Sequence, residues 1–266
     1  MSSFSRLGKT ARAQLERRVR GLAPARKFRL ELARRTIEDF AAGRPIRVLD
    51  AGCEEGLLTL TLARRNPTWS VVGVDVNDAA LEVSRRAASA EGVANVEYLH
   101  VDITRPFASR TYDVVAAIES LPQIADDEAA LTELVAALKD DGLLVLHVPE
   151  RHWRPVLRHG PTFWKGELRH GYDELELRAA LEAAGVHDLD VRPTVHAPLQ
   201  LAEEIRHRLK NRTLKVRAFV YPLFTLAVRL ELGRLTAGTA RAFYIVGRRR
   251  AGPPVADAQP IRGSEE

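Results

Sequence analysis

At 266 residues, 45% apolar and 28% charged, the chain has the size and composition of a globular protein built as one large domain or a domain with a cap. A single cysteine, Cys53, excludes an internal disulfide and suits a reducing, cytoplasmic compartment. Residues 1–40 lack the continuous apolar stretch of a signal peptide, and "AFVYPLFTLAV" (218–228), interrupted by Pro222, is about half of the ~20 residues that a spanning helix needs.

The net charge of +5 is unevenly placed. Residues 1–36 carry eleven Lys/Arg against Glu16 and Glu31, residues 205–250 carry twelve against Glu231 alone, and the remainder is acidic. A positive field confined to two segments points to an anionic surface, phospholipid or nucleic acid. The alternative is that Arg-rich amphipathic helices pack on the acidic middle of the chain.

Residues 8–22 and 25–41 have helical spacing, with Leu15, Val19 and Leu22, then Phe28, Leu32, Ile37 and Phe40, as apolar stripes. "AAGRP" (41–45) ends the second helix. The period then changes. "IRVLD" (46–50), "SVVGVDV" (70–76), "NVEYLHV" (95–101), "YDVVAAI" (112–118) and "GLLVLHV" (142–148) are short, mostly apolar runs, with helical stretches at 55–66, 78–90 and 125–139. Alternation at this pace predicts a doubly wound α/β fold, a mostly parallel Rossmann-like sheet with helices on both faces. After Val148 comes an irregular segment, 150–171, rich in Arg, His, Trp and Gly. A helix at 173–184, a strand near 187–193, a basic helical region at 198–236 and a seventh strand at 240–248 follow. The expected layout is a basic helical extension over 1–44, a ligand-binding domain over 45–250 with cap insertions at 150–171 and 195–238, and a disordered tail over 251–266.

In an open parallel sheet, ligands bind at the carboxyl ends of the strands. Asp50 closes the first strand, and Gly52 and Gly56 permit a tight turn and close approach of the backbone. Asp75 closes the second strand, where a carboxylate can accept both ribose hydroxyls; Asp102 follows the third and Glu119 the fourth. Other readings stand beside these: Asp50 as a cap for the next helix, Asp102 as an ordinary turn residue before Thr104 and Pro106, Glu119 as a loop acid. A dinucleotide fingerprint requires a third glycine, and Glu54 and Glu55 would repel a pyrophosphate. A cationic ligand, a sulfonium with an ammonium, fits better beside carboxylates.

"DAGCEEG" (50–56), "VVGVDVND", "HVDITRPF", "YDVVAAIESL" and "LKDDGLLVLHVPE", in this order and at this pacing, resemble the successive motifs of the class I S-adenosylmethionine-dependent methyltransferases. Glu54 replaces the middle glycine of their first motif. The resemblance covers roughly residues 45–195 and implies a seven-stranded sheet with the last strand antiparallel. It also implies S-adenosylmethionine as cofactor, held by Asp50, Ala51, Gly52, Cys53, Gly56, Asp75, Val76, Asp102, Ile103 and Glu119. "GELRHGYDELEL" (166–177) resembles a "GH-x-R-x-GY" segment of some members, with Glu167 in place of His; Ser120 stands where many have a His.

The resemblance leads to a methyltransferase acting on a small-molecule or lipid- or sugar-linked acceptor, at oxygen, with His152, His170 and Glu119 as candidates for the base. No His/Cys spacing suits zinc, so no metal is expected. His147 lies within a strand pattern and reads as a core residue. Two alternatives remain. Nucleic-acid methylation is motivated by the basic segments but opposed by the absence of interleaved aromatics; the other is a catalytically silent binder or scaffold. The stretch 218–232 is a candidate to lie in an anionic membrane interface, against the alternative of a helix packed on the domain.

Overall fold

A computed structural model describes residues 23–157, 168–209, 212, 216, 219–234 and 237–251. The helix expected at 8–22, the tail from 252 and the middle of 150–171 lie outside the described residues. In chain order the elements are α1 (Pro24–Ala41), β1 (Arg47–Ala51), α2 (Leu57–Arg65), β2 (Ser70–Asp75), α3 (Asp78–Glu91), β3 (Val96–His100) and β4 (Tyr112–Ile118). There follow α4 (Asp127–Ala137), β5 (Leu138–Pro149), α5 (Glu174–Ala183), β6 (Val186–His196), α6 (Ala197–Arg208), α7 (Tyr221–Leu232) and β7 (Ala240–Arg249).

The seven strands form one sheet in the order β3-β2-β1-β4-β5-β7-β6. β1 pairs in parallel with β2 and β4, β2 with β3 and β4 with β5; β7 runs antiparallel to β5. The doubly wound sheet with a reversed last strand is therefore present. Winding changes direction between β1 and β4, the switch point at which a crevice opens above the strand ends in such sheets.

The strands read as near-continuous apolar runs because both faces are covered. Leu49, Val72, Val115, Leu144 and Ile245 share one core cluster with Leu131 and Leu134 of α4 and Leu177 and Leu181 of α5. Helix starts are set locally: Asn77 accepts from the Ala80 amide, Asp126 from Ala129, and Asp173 from Leu175 and Glu176, each satisfying amides that the first turn leaves open.

One boundary differs from expectation. The helix expected to run to 139 stops at Ala137, and β5 begins directly at Leu138, four residues before the expected start; the exposed Lys139, Asp140 and Asp141 conceal that start, and the β4–β5 register shifts between Tyr112 and Val114. Within the region expected to be helical at 198–236, α6 and α7 are helices, the latter with Pro222 in its first turn, where a missing amide hydrogen costs nothing.

By packing, the described residues fall into two compact units, one within 1–32, 154–162 and 194–241, the other within 33–153, 163–193 and 242–266. The first holds α6 and α7. The second holds β1–β5 and α2–α5. No helix among the described residues is long and apolar enough to cross a membrane.

Candidate functional site

The turn after β1 is built from three left-handed residues, Gly52 (φ 72°), Glu54 (φ 49°) and Gly56 (φ 63°). The amides of Gly52 and Cys53 both donate to the Val74 carbonyl, at 2.8 and 3.0 Å, which ties the turn to β2. A Cβ at Gly52 would stand 2.3 Å from Cβ of Ser120, the residue after Glu119 at the end of β4. A Cβ at Gly56 would stand 2.5 Å from Cε1 and 2.7 Å from the hydroxyl of Tyr98 on β3. Both glycines therefore allow other parts of the protein to come close, and the turn is packed from beneath.

Asp50 is buried, and its Oδ2 accepts from the Thr59 amide at 3.1 Å and the Thr59 hydroxyl at 2.5 Å. Gly56, the residue before α2, supplies no side-chain cap, so Asp50 caps α2 from the neighbouring strand. Burial pushes its carboxyl up to about 6; the bonds from Thr59 oppose this, and the nearby Asp75 charge adds to it. Asp75 accepts from the Glu54 amide at Oδ2 (2.8 Å) and from the Asn77 amide at Oδ1 (2.9 Å). A carboxylate has about four acceptor positions, so among the described residues half of its capacity is left for a ligand.

The other residues implied for the cofactor divide by environment. Val76 is exposed, whereas Ala51 is buried within β1 and Ile103 sits in the main core cluster. Cys53 is buried and packs with Leu81 and Tyr98, and burial pushes its thiol up. Asp102 closes a local turn, accepting from the Thr104 amide (3.0 Å) and hydroxyl (2.7 Å), and those bonds hold its carboxyl below the usual range. Asp102, Asp75, Asp50 and Glu119 thus lie at or just past the carboxyl ends of four adjacent strands, β3, β2, β1 and β4.

Glu119 adopts φ 63°, a conformation costly for a residue with a Cβ and informative where it occurs. Its amide donates to the His147 carbonyl at 2.8 Å, and its Oε1 shares a 2.6 Å hydrogen bond with His147 Nδ1. His147 is fully buried on β5, paired in register with Ile118. The imidazole read from sequence as a core residue is therefore the support of a strand-end acid. Beside it, Ser120 is buried and its hydroxyl has no hydrogen-bond partner within the described residues.

The described parts of 150–171 and the residues after them are firmly anchored. Gly171 lies against the backbone of Pro149 and Glu150, and Tyr172 bridges to Glu150. The Tyr172 hydroxyl donates to Oδ2 of Asp127 at 2.6 Å, and Arg169 pairs with the same oxygen at 2.9 Å while its guanidinium lies 4.3 Å from the Tyr172 ring centre. Leu168 and Arg169 donate to the Pro122 carbonyl, just beyond β4. Of the candidate bases, His152 is exposed and its amide donates to Glu150, whereas His170 stacks on Trp153 at 6.0 Å. Among the described residues no cluster of His, Cys, Asp or Glu is arranged to hold a metal ion.

Thr59, Tyr98 and Asp127 escaped the sequence reading. None belongs to a motif, and each acts on a partner at least nine residues away in the chain.

Residues 48–142 match a family model described as a methyltransferase domain. Over that stretch the chain is similar to methyltransferase domains. Ubiquinone biosynthesis O-methyltransferase of Neisseria meningitidis serogroup C is 32% identical to this chain over 110 residues, 41% of this chain and 46% of that one. Demethylmenaquinone methyltransferase of Thermus thermophilus is 35% identical over 118 residues, 44% and 53% respectively. The chain spans about half the length of the curated relatives it matches. Among solved structures, a [4+2]-cyclase has a TM-score of 0.58 at 21% identity, covering 83% of this chain and 82% of that one. Phosphoethanolamine N-methyltransferase 2 of Haemonchus contortus, in complex with S-adenosyl-L-methionine, has a TM-score of 0.57 at 16% identity, covering 78% and 49%. At such identities the likeness is one of fold. The residues at these strand ends suit a cationic adenosyl ligand: the carboxylates of Asp75 and Glu119, and the Ser120 hydroxyl, which has no partner among the described residues, against the turn.

Proposed function

We propose that the chain binds S-adenosylmethionine and transfers its methyl group to an oxygen of a small-molecule acceptor. The observation that carries this reading is the rim of acids over β3, β2, β1 and β4 at the switch point, around a turn that Asp75 holds by its Glu54 amide. Such a rim attracts a sulfonium and an ammonium. The O-methyltransferase relatives support oxygen as the acceptor atom.

When bound, S-adenosylmethionine supplies a methyl group on positively charged sulfur, so the protein's task is alignment, exclusion of water and management of one proton. The free acceptor positions of Asp75 take the ribose hydroxyls. The Ser120 hydroxyl, buried against Gly52, is open to a polar group seated on the turn. Glu119 is the base: its carboxylate receives the proton of the acceptor hydroxyl, a contribution commonly worth ~10²–10⁴ in rate, and His147 fixes its orientation. The stacked His170 and the outward His152 are less suited to the task. A cytoplasmic location accords with Cys53 as a buried thiol resistant to ionisation.

Titration calorimetry with S-adenosylmethionine tests the binding half, and S-adenosylhomocysteine production with a panel of phenols and hydroxylated quinones tests the transfer. Binding followed by turnover supports the reading. Absence of binding overturns it, and binding without turnover on the panel or on cell extract leaves the silent binder in its place.

A further inference from the structure

Helix α7 has two contrasting faces. Phe224, Ala227, Val228 and Glu231 are buried, the spacing of one helical stripe. On the other side Leu223 is 63% and Leu226 52% exposed, and Phe219, one turn before Leu223, is 86% exposed. With Val216, these are four of the ten large apolar side chains exposed among the described residues. Scattered apolar residues need no explanation, but a contiguous stripe does.

The charge around the stripe has one sign. The acids of α6 and α7 are Glu203, Glu204 and Glu231, and all three are buried. Glu231 accepts from the Val195 amide and from His196 Nδ1, both at 2.8 Å. Glu204 accepts from the Val156 and Leu157 amides, and Glu203 pairs with Arg206. Arg208, Arg212, Arg229 and Arg234 are exposed. The carboxylates of both helices thus face inward and these arginines outward.

We propose that the outer face of α7, with Phe219 ahead of it, docks in the interface of a bilayer containing anionic phospholipid. Phe219, Leu223 and Leu226 enter the boundary between headgroups and acyl chains, and the arginines meet lipid phosphates. An occupant must bring apolar depth and negative charge together. A second copy of this face would oppose arginines to arginines. The segment 1–22 fails for the same reason, with six Lys/Arg against Glu16 alone. Nucleic acid would satisfy the charge and leave the leucines and Phe219 in water.

The test is co-sedimentation of the full chain with vesicles of phosphatidylcholine alone or mixed with phosphatidylglycerol, at low and raised salt. The expected result is binding to the mixed vesicles only, weakened by salt, and reduced roughly tenfold or more in Phe219→Ser/Leu223→Ser/Leu226→Ser and in Arg229→Glu/Arg234→Glu. Exposed side chains are replaced in both variants, and circular dichroism checks that helix content is unchanged. Absence of binding to anionic vesicles overturns the proposal, as does equal binding by the serine variant. A salt-sensitive gel shift with RNA or DNA that the serine variant retains, without vesicle binding, assigns the charge to nucleic acid. A change in oligomeric state with the serine variant, without vesicle binding, assigns the stripe to a second copy. Both overturn it. None of these measurements depends on methyl transfer, so the outcome is separate from that of the proposed activity.

Discussion

The Glu54 amide donates to Oδ2 of Asp75 at 2.8 Å, so the acid that closes β2 also holds the turn that follows β1. The same carboxylate takes the Asn77 amide through Oδ1, and its fixed orientation leaves its remaining lone pairs in place before any ligand arrives. Preorganisation of this kind lowers the cost of binding.

Asp75→Ala should therefore remove both a ligand acceptor and the tether. Hydrogen bonds to charged groups contribute about 1.5–3 kcal/mol, so S-adenosylmethionine affinity is expected to fall by roughly 10–100-fold. Asp75→Asn, which keeps one acceptor oxygen, should fall less. Titration calorimetry checks the order, and unchanged affinity in Asp75→Ala would remove Asp75 from the site.

Glu54 stands where related turns have glycine, and it adopts φ 49°. A side chain in that conformation costs about 1–2 kcal/mol. Glu54→Gly should consequently be more stable than Glu54→Ala by about 1 kcal/mol, after the entropy glycine adds to the unfolded chain. In a helix interior the order is the reverse. Urea denaturation of the two variants decides it, and an alanine variant of equal or greater stability would show the turn to be unstrained.

Gly56 and Tyr98 should be energetically coupled, because a Cβ at Gly56 would meet the Tyr98 ring at 2.5 Å. Gly56→Ala combines overpacking, about 1–3 kcal/mol, with a left-handed penalty. Tyr98→Leu clears the space without changing the backbone requirement. The double variant is expected to recover about 1–2 kcal/mol relative to the sum of the two singles; strict additivity in denaturant melts would contradict the packing.

These cases mark what the sequence makes legible. Strands β1, β2, β4 and β5 stand out because each is buried on both faces, and Gly52 and Gly56 stand out because a strand-to-helix turn needs them. What the glycines approach, Ser120 and Tyr98, does not stand out, because those contacts join strands that are neighbours only in the folded sheet. Asp127 is hidden likewise, since its partner Tyr172 lies 45 residues away. The start of β5 is masked by Lys139, Asp140 and Asp141, which look like the end of a helix and a turn. His147 resembles any imidazole inside an apolar strand until β4 brings Glu119 beside it.

Asp50 should make stability fall as pH rises. Its carboxyl is pushed up to about 6 in the folded chain from an ordinary 3.8, so the native state binds the proton more tightly than the unfolded state. The contribution is fully present below about pH 4 and is lost as pH rises through about 6; two pKa units correspond to about 3 kcal/mol. Asp50→Asn keeps an acceptor for Thr59 and has no proton to lose. It is expected to be more stable than the parent at pH 7.5, with the difference closing near pH 4. Urea melts across that range check this, and a difference independent of pH would contradict the buried-charge account. Loss of the negative charge should at the same time weaken S-adenosylmethionine binding, so stability and affinity move in opposite directions.

Glu119 and His147 should separate proton transfer from binding. The acid is held twice by the same residue, through its amide and through Oε1; removing the imidazole takes away the second of these restraints and leaves the carboxylate present. Glu119→Gln is expected to lower kcat by ~10²–10³ on an alcohol or phenol acceptor. His147→Leu should lower kcat by a smaller factor, about tenfold, while the Kd for S-adenosylmethionine stays near the parent value. His147→Asn places an amide donor near the position of Nδ1 and should recover most of the loss. A purely structural histidine would behave otherwise: both variants would lose stability and cofactor affinity together, and asparagine would bring no selective recovery of kcat. Equal kcat in the parent and His147→Leu would leave Glu119 without need of its partner.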